Sequence, residues 1–242
     1  MGEGGFHQFL KVNRLDLQHV RKGDSLIVPV RAMDRSPRGD GPSIVPAGQM
    51  GTTVATASPV GDSLYFAPFP QSLAGLGDQP KHLLISIRVQ AYAAYEGGRL
   101  VRWGPTSTGR KETPTPARLY HVNWKDKDRI STVNEEWHLT WVVNLDNLLG
   151  VSIHQYELPG RPASHSCVRL LEEDARWLYG WAEQWTLSPD GSTVLAPGTP
   201  VLVFGAYAYG KRPPWKRLPE DPMADFVPVE EIETALESAA RP

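Results

Sequence analysis

Glycine and proline, 22 of each, are scattered along the 242 residues without a period. That punctuation breaks up long helices and favours short strands joined by turns. The apolar residues agree: Ile85, Ile87, Val89, Ala91 and Ala93 alternate with Ser86, Arg88, Gln90 and Tyr92, the period-two pattern of a strand with one buried face. Glu96-Gly97-Gly98-Arg99 then turns the chain into Leu100-Val101-Arg102-Trp103, which reads as a β-hairpin. Further strands are expected at residues 119–122, 139–144, 151–156 and 199–204. The fold class is mainly β.

The clearest helical signal follows the only cysteine. Leu171, Ala175, Leu178, Ala182 and Trp185 recur at three- and four-residue spacing, and Glu172, Glu173 and Asp174 occupy the first turn, where the helix dipole favours carboxylates. A short helix is also expected near residues 230–239. Residues 9–30 contain an asparagine turn, a Gly-Asp turn and a short apolar strand ending at Pro29. They resemble the second half of a LysM-type glycan-binding module, with an ordinary β-turn-β segment as the alternative. Residues 31–77 are rich in Pro, Gly and Ser and read as loop-heavy. The expected organisation is an accessory region over residues 1–77, a main domain over 78–210 and a peripheral tail over 211–242.

A net charge of −2, from 25 basic and 27 acidic residues without a basic stripe, argues against a nucleic-acid partner. No stretch approaches the roughly 20 apolar residues of a membrane span. Met1-Gly2-Glu3-Gly4-Gly5 lacks the charged and apolar regions of a signal peptide, so the chain reads as soluble, with any export signal trimmed away.

One cysteine excludes an intrachain disulfide, so Cys167 is either an inert packing residue or a reactive thiol. Its neighbours favour reactivity. A free thiol, with a pKa of about 8.5, is mostly protonated at neutral pH and needs a base to attack. His154 and His165 are both candidates. If residues 151–156 form a strand with Val151 and Ile153 in the core, His154 points to the opposite face, beside the loop that returns to Cys167. Backbone N–H groups in that loop, and at the start of the following helix, would stabilise a thiolate or an oxyanion. A zinc site from His154, His165 and Cys167, perhaps with His138, has the right ligand types but no familiar spacing. No metal or cofactor is expected.

The run His154…Ser164-His165-Ser166-Cys167-Val168-Arg169-Leu170, followed by Asp174-Ala175 and Leu178-Tyr179, resembles the signature of the YkuD-type L,D-transpeptidases, a His followed by Ser-His-Gly-Cys-Ile/Val-Arg. The similarity extends to the Ser107-Thr108-Gly109 turn, the Thr113-Pro114-Thr115-Pro116 loop and Gly198-Thr199-Pro200-Val201. It implies a β-sandwich-like catalytic fold with one helix after the cysteine loop. It further implies Cys167 as nucleophile, His154 as base, His165 in support, and Ser164, Ser166 and Arg169 bracing the loop or oxyanion site. The substrates implied are peptidoglycan stem peptides, outside the cytoplasm, with a glycan contact through the N-terminal region as a further expectation. Trp141 and Tyr156 are candidate substrate contacts; Trp137 and Trp141 could line a groove, with core or lid packing as the alternative for both.

Two departures stand out. Ser166 occupies the glycine position of the signature, where a positive φ or a close approach to substrate is expected, and Gln155 follows the base histidine where many members have glycine. Two alternatives to crosslinking remain at this stage: hydrolysis by the same residues, giving an L,D-carboxypeptidase, or a catalytically silent cell-wall-binding protein.

Overall fold

The computed structural model describes residues 3–28, 64, 66–76, 80–130 and 138–239. Helix α1 (Glu3–Asn13) comes first. Strands β1 (Lys81–Ser86), β2 (Ala91–Glu96), β3 (Arg99–Pro105), β4 (Arg118–His121), β5 (Lys125–Ile130), β6 (His138–Asp146), β7 (Val151–Gln155) and β8 (Val168–Leu170) follow. Then come α2 (Glu172–Trp181), β9 (Thr186–Leu187), β10 (Val194–Ala196), β11 (Pro200–Phe204) and α3 (Val229–Ala239). A five-stranded sheet runs β3-β2-β1-β11-β4 and a four-stranded sheet runs β5-β6-β7-β8, with β9 and β10 as a small separate pair. The chain is mainly β, as expected.

The alternating stretch from Ile85 to Ala93 is two strands. The chain reverses between β1 and β2, where Gln90 takes a left-handed backbone at φ 47°, and the strands pair antiparallel with Leu83 opposite Ala94 and Ile85 opposite Tyr92. The reversal exchanges faces. Leu83, Ile85, Tyr92 and Ala94 join one core, while Leu84, Val89, Ala91, Ala93 and Tyr95 join another. Tyr92, expected on the polar face, is 1 % exposed. The β2–β3 hairpin forms as read, with Gly97 and Gly98 both at positive φ, the geometry of a tight turn that matches strand twist.

Both faces of the five-stranded sheet are covered. On one side its residues meet Val143, Leu145, Val151, Ile153, Val168 and Leu170 of the second sheet, with Ala175, Leu178 and Trp181 of α2 completing that core. On the other side Trp103, Leu202 and Phe204 pack against Phe69, Leu73 and Leu76 before the sheet and Val227 and Ile232 after it. The second sheet has a charged outer strand: β5 reads Lys-Asp-Lys-Asp-Arg-Ile, a composition that discourages edge-to-edge pairing and that carries no hydrophobic strand signal.

The N-terminal segment differs from its sequence reading. Residues 9–13 lie in α1 instead of a strand, and residues 25–28 run beside that helix instead of entering a sheet: Asn13 accepts from the backbone N–H of Ile27 at 2.8 Å and donates to its carbonyl at 2.7 Å. Most of the loop-heavy stretch 31–77 and Trp137 lie outside the described residues. The C-terminal segment carries buried side chains, Trp215 at 0 % and Leu218 at 1 %, and its last helix spans the stretch expected to be helical.

Strands β7 and β8 are parallel, with Ile153 opposite Val168 and His154 opposite Arg169. Parallel neighbours cannot be joined by a tight hairpin. The connection, residues 156–167, therefore rises out of the sheet and returns, and it delivers Cys167 to the start of β8.

Candidate active site

The turn before Cys167 is backbone-strained. Ser166 has φ 80°, a left-handed conformation that costs a residue with a Cβ about 1–2 kcal/mol. The glycine position of the signature is thus one that wants positive φ, and serine adopts it here. Side chains hold the turn from within and from outside: Ser164 Oγ donates to the Cys167 carbonyl, Ser166 Oγ to the His165 carbonyl, and Thr115 Oγ1 to the Ser166 carbonyl at 2.8 Å.

The segment after β3 cradles this turn. Ser107 and Arg169 exchange backbone hydrogen bonds of 3.1 and 3.0 Å, which cover the free edge of β8. Ala163 and Ser164 donate to the Thr108 carbonyl at 2.9 and 3.1 Å, and Arg110 donates to the Ser164 carbonyl at 3.0 Å. Gly109 is required by close approach: a Cβ there would sit 2.3 Å from the Thr113 carbonyl oxygen and 2.4 Å from the Thr115 nitrogen. The Ser-Thr-Gly turn and the Thr-Pro-Thr-Pro loop are therefore the back wall of the cysteine loop.

A cavity of about 370 Å³ opens along the second sheet, lined by Leu139, Val142 and Asn144 of β6, Ser152 of β7 and the loops around them. Cys167, His154, His165, Ser164, Arg169 and Tyr156 all line it. His154 is 4 % exposed, and its Nδ1 lies 2.9 Å from the Gln155 carbonyl oxygen. A carbonyl only accepts, so Nδ1 carries the proton and Nε2 keeps its lone pair. Burial drives the His154 pKa down to about 4, with the Arg169 charge adding to the effect and the Gln155 hydrogen bond opposing it. The ring is neutral at pH 7, ready to accept a proton.

The Cys167 thiol donates to the Gly150 carbonyl at 3.4 Å. Burial raises its pKa, against a backbone hydrogen bond from Ser152 and the Arg169 charge, which lower it. The resting pair is thus a neutral thiol and a neutral imidazole instead of a preformed ion pair. Arg169 lies over the Tyr156 ring at 4.5 Å, and that ring meets His154 edge-on at 6.0 Å. His165 has its pKa lowered by burial, Arg110 and Arg169.

Two sequence readings need correction. Trp141 does not line the cavity. It sits at φ 57° in a bulged stretch of β6, which turns its ring onto the Tyr179 ring of α2 at 5.5 Å, with the Lys127 and Arg176 cations over it. The α2 N-terminus does not reach the thiol either. Strand β8 intervenes, and the first turn of α2 carries Asp174 to Arg102, 2.8 Å away, and to Lys11. The sequence reading also missed Trp124, Arg129, Asn144 and Asn147 on the cavity wall. Trp124 stacks under Arg129 at 4.7 Å and donates to Asn147 at 2.7 Å. The signal of Arg129 was weak because β5 looks like a charged loop.

Among the described residues, no group of three His, Cys, Asp or Glu side chains is placed to hold a metal ion, and no helix is long and apolar enough to cross a membrane.

Cys167 thus immediately precedes β8, and His154 lies buried on the neighbouring parallel strand β7. Residues 80–203 match the model of the YkuD L,D-transpeptidase catalytic domain, and the chain belongs to that family. Similar solved structures include an L,D-transpeptidase from Stackebrandtia nassauensis, at 22 % identity over 54 % of this chain and 58 % of that one, TM-score 0.44. Others are L,D-transpeptidases from Mycobacterium tuberculosis, at 24 % over 52 % and 58 %, TM-score 0.41, and Mycobacterium smegmatis, at 18 % over 52 % and 59 %, TM-score 0.42. The matched part spans just under three fifths of each of these chains. No curated protein matches the chain.

Proposed function

We propose that this protein is a peptidoglycan L,D-transpeptidase that carries a stem peptide on Cys167 as a thioester. The observation that carries the reading is the His154 tautomer: the Nδ1 hydrogen bond to Gln155 leaves Nε2 as a base in the cavity that Cys167 also lines.

Cys167 Sγ attacks the carbonyl of the third residue of a tetrapeptide stem while Nε2 of His154 takes the thiol proton. Because both groups rest neutral, proton transfer accompanies attack. The C–N bond to the terminal D-alanine then breaks, and the imidazolium protonates the departing amine. The carbonyl carbon stays bonded to sulfur. An amine of a second stem attacks next, His154 accepts its proton, and collapse of the tetrahedral adduct expels the thiolate, which regains that proton. Backbone N–H groups of the Ser166-Cys167 turn stabilise the oxyanion, with Ser164 and Arg169 holding the turn in shape. Water in place of the amine makes the same residues a carboxypeptidase. The family's cell-wall chemistry supports an extracytoplasmic location.

Incubating the protein with a tetrapeptide stem, with and without an amine acceptor, and resolving the products tests this. Release of D-alanine together with a crosslinked dimer supports transfer. Release of D-alanine and tripeptide alone reassigns the enzyme as a carboxypeptidase, and no release sinks the catalytic reading.

A further inference from the structure

Arg14 is 0 % exposed although it lies far outside the family's catalytic segment. Its guanidinium lies over the Trp103 and Trp215 rings at 5.3 and 5.6 Å and reaches four partners: the carbonyls of Lys11 at 2.7 Å, Val12 at 3.3 Å and Val89 at 3.0 Å, and the Asp225 carboxylate at 3.0 Å. Burying a guanidinium is costly unless it is paired and its donors are used, so a site this complete fixes whatever it holds. It holds the turn between β1 and β2.

The next residue in that turn, Gln90, grips Thr108 twice: its Nε2 donates to Thr108 Oγ1 at 2.8 Å, and its Oε1 accepts from the Thr108 backbone N–H at 2.9 Å. Thr108 in turn accepts from Ala163 and Ser164, and Ser164 Oγ holds the carbonyl of Cys167. A series of hydrogen bonds, joined through the Val89–Gln90 peptide link, therefore runs from the N-terminal segment to the nucleophile. Four described residues other than glycine have positive φ, and three of them, Arg14, Gln90 and Ser166, lie along this series. Strain of this kind persists only where surroundings over-determine it.

We propose that Arg14 is a positioning residue for acyl transfer at Cys167, acting through the grip of Gln90 on Thr108 and through the cysteine loop that Thr108 holds. The proposal rests on Cys167 being the nucleophile. It gives residues 3–28, together with Asp225 and Trp215 of the C-terminal segment, a part in catalysis: they set the turn that sets the loop.

The test compares wild type, Cys167→Ala, Arg14→Lys, Gln90→Met and Thr108→Val, using a carbapenem as the acylating probe and intact-protein mass as the readout. The limiting acylation rate and the half-saturating probe concentration are measured separately, beside far-UV circular dichroism and the melting temperature. Gln90→Met keeps the length and removes both hydrogen bonds to Thr108, while Thr108→Val keeps the shape and removes the hydroxyl acceptor. Both are expected to stay folded and to lower the limiting rate about tenfold, with half-saturation changed less than about twofold, because small misplacements of a reacting group are costly. Arg14→Lys is expected to do the same, and combining it with Thr108→Val should add less than the product of the single effects, since residues in one series couple. Folded variants that acylate at the wild-type rate overturn the positioning role while leaving the nucleophile in place. If wild type itself gains no mass that Cys167→Ala loses, the nucleophile assignment fails, and this proposal with it. Should Arg14→Lys not fold, the two near-isosteric variants decide.

Discussion

The Nδ1–H of His154 donates to the carbonyl of Gln155, its own neighbour along β7, at 2.9 Å. Strand geometry keeps that carbonyl in place whatever side chain follows the histidine, so Gln155 supplies the orienting acceptor through its backbone. The departure from glycine at that position leaves this hydrogen bond intact.

His154→Asn therefore removes the proton acceptor and should lower the acylation rate on the order of 10²–10⁴-fold, the usual worth of a positioned base. In wild type the acid limb of the rate should fall near pH 4 instead of near 6.5, since protonation of Nε2 ends base catalysis and burial holds that protonation down to about 4. A limb near 6.5 in a stopped-flow pH series would contradict a buried, neutral base.

Stability should follow the same group. A histidine whose folded pKa is about 4, against 6.5 when unfolded, binds its proton preferentially in the unfolded chain. Its contribution is complete above pH 6.5 and is lost as pH falls toward 4, a change of roughly 3 kcal/mol for such a shift. His82 and His121, also lowered by burial, act in the same direction. Urea unfolding at several pH values between 4 and 7 should give a smaller acid loss for His154→Asn than for wild type.

Ser166 and His154 show how much of the site the sequence revealed. The order of histidine, serine, histidine and cysteine picked out four residues that line one cavity, and the glycine position predicted a positive φ, which Ser166 adopts. For Trp141 the sequence left groove lining and packing both open, because strand alternation holds only while the backbone stays extended, and its positive φ sends the ring to α2. The β1–β2 turn was hidden for a related reason. When both faces of a sheet are buried, polar and apolar residues no longer report which side is out, so Tyr92 looked solvent-facing. Arg14 had no signal: its role comes from long-range contacts with Val89 and Asp225.

Ser166→Gly should relieve the left-handed strain and stabilise the fold by about 1 kcal/mol, less whatever the added freedom of the unfolded chain takes back. Acylation should be retained. A loss of stability in urea melts would mean that the Ser166 hydroxyl bond to His165 outweighs the strain.

Gly109→Ala should be far harsher, because the new methyl group meets backbone atoms of Thr113 and Thr115 that have little room to move. A cost of about 2–3 kcal/mol is expected, with slower acylation, since the same residues brace the cysteine turn. A melting temperature equal to wild type would show that this wall is softer than its geometry suggests.

Trp124 and Trp141 should separate binding from packing. Trp124→Ala should raise KM for a stem peptide about tenfold with little change in stability, because its ring forms the cavity wall with Arg129 and Asn147. Trp141→Ala should lower stability by about 2 kcal/mol with KM unchanged, because its ring packs on Tyr179. The opposite assignment of the two effects would contradict the placement of both rings.

The most direct test of the central claim is intact-protein mass spectrometry after a short incubation with a tetrapeptide stem. The account predicts a covalent adduct on wild type, equal to the stem less its terminal D-alanine, that hydroxylamine removes and that Cys167→Ala does not form. An adduct that survives in Cys167→Ala, or none on wild type while D-alanine is released, would place the chemistry elsewhere than on this thiol.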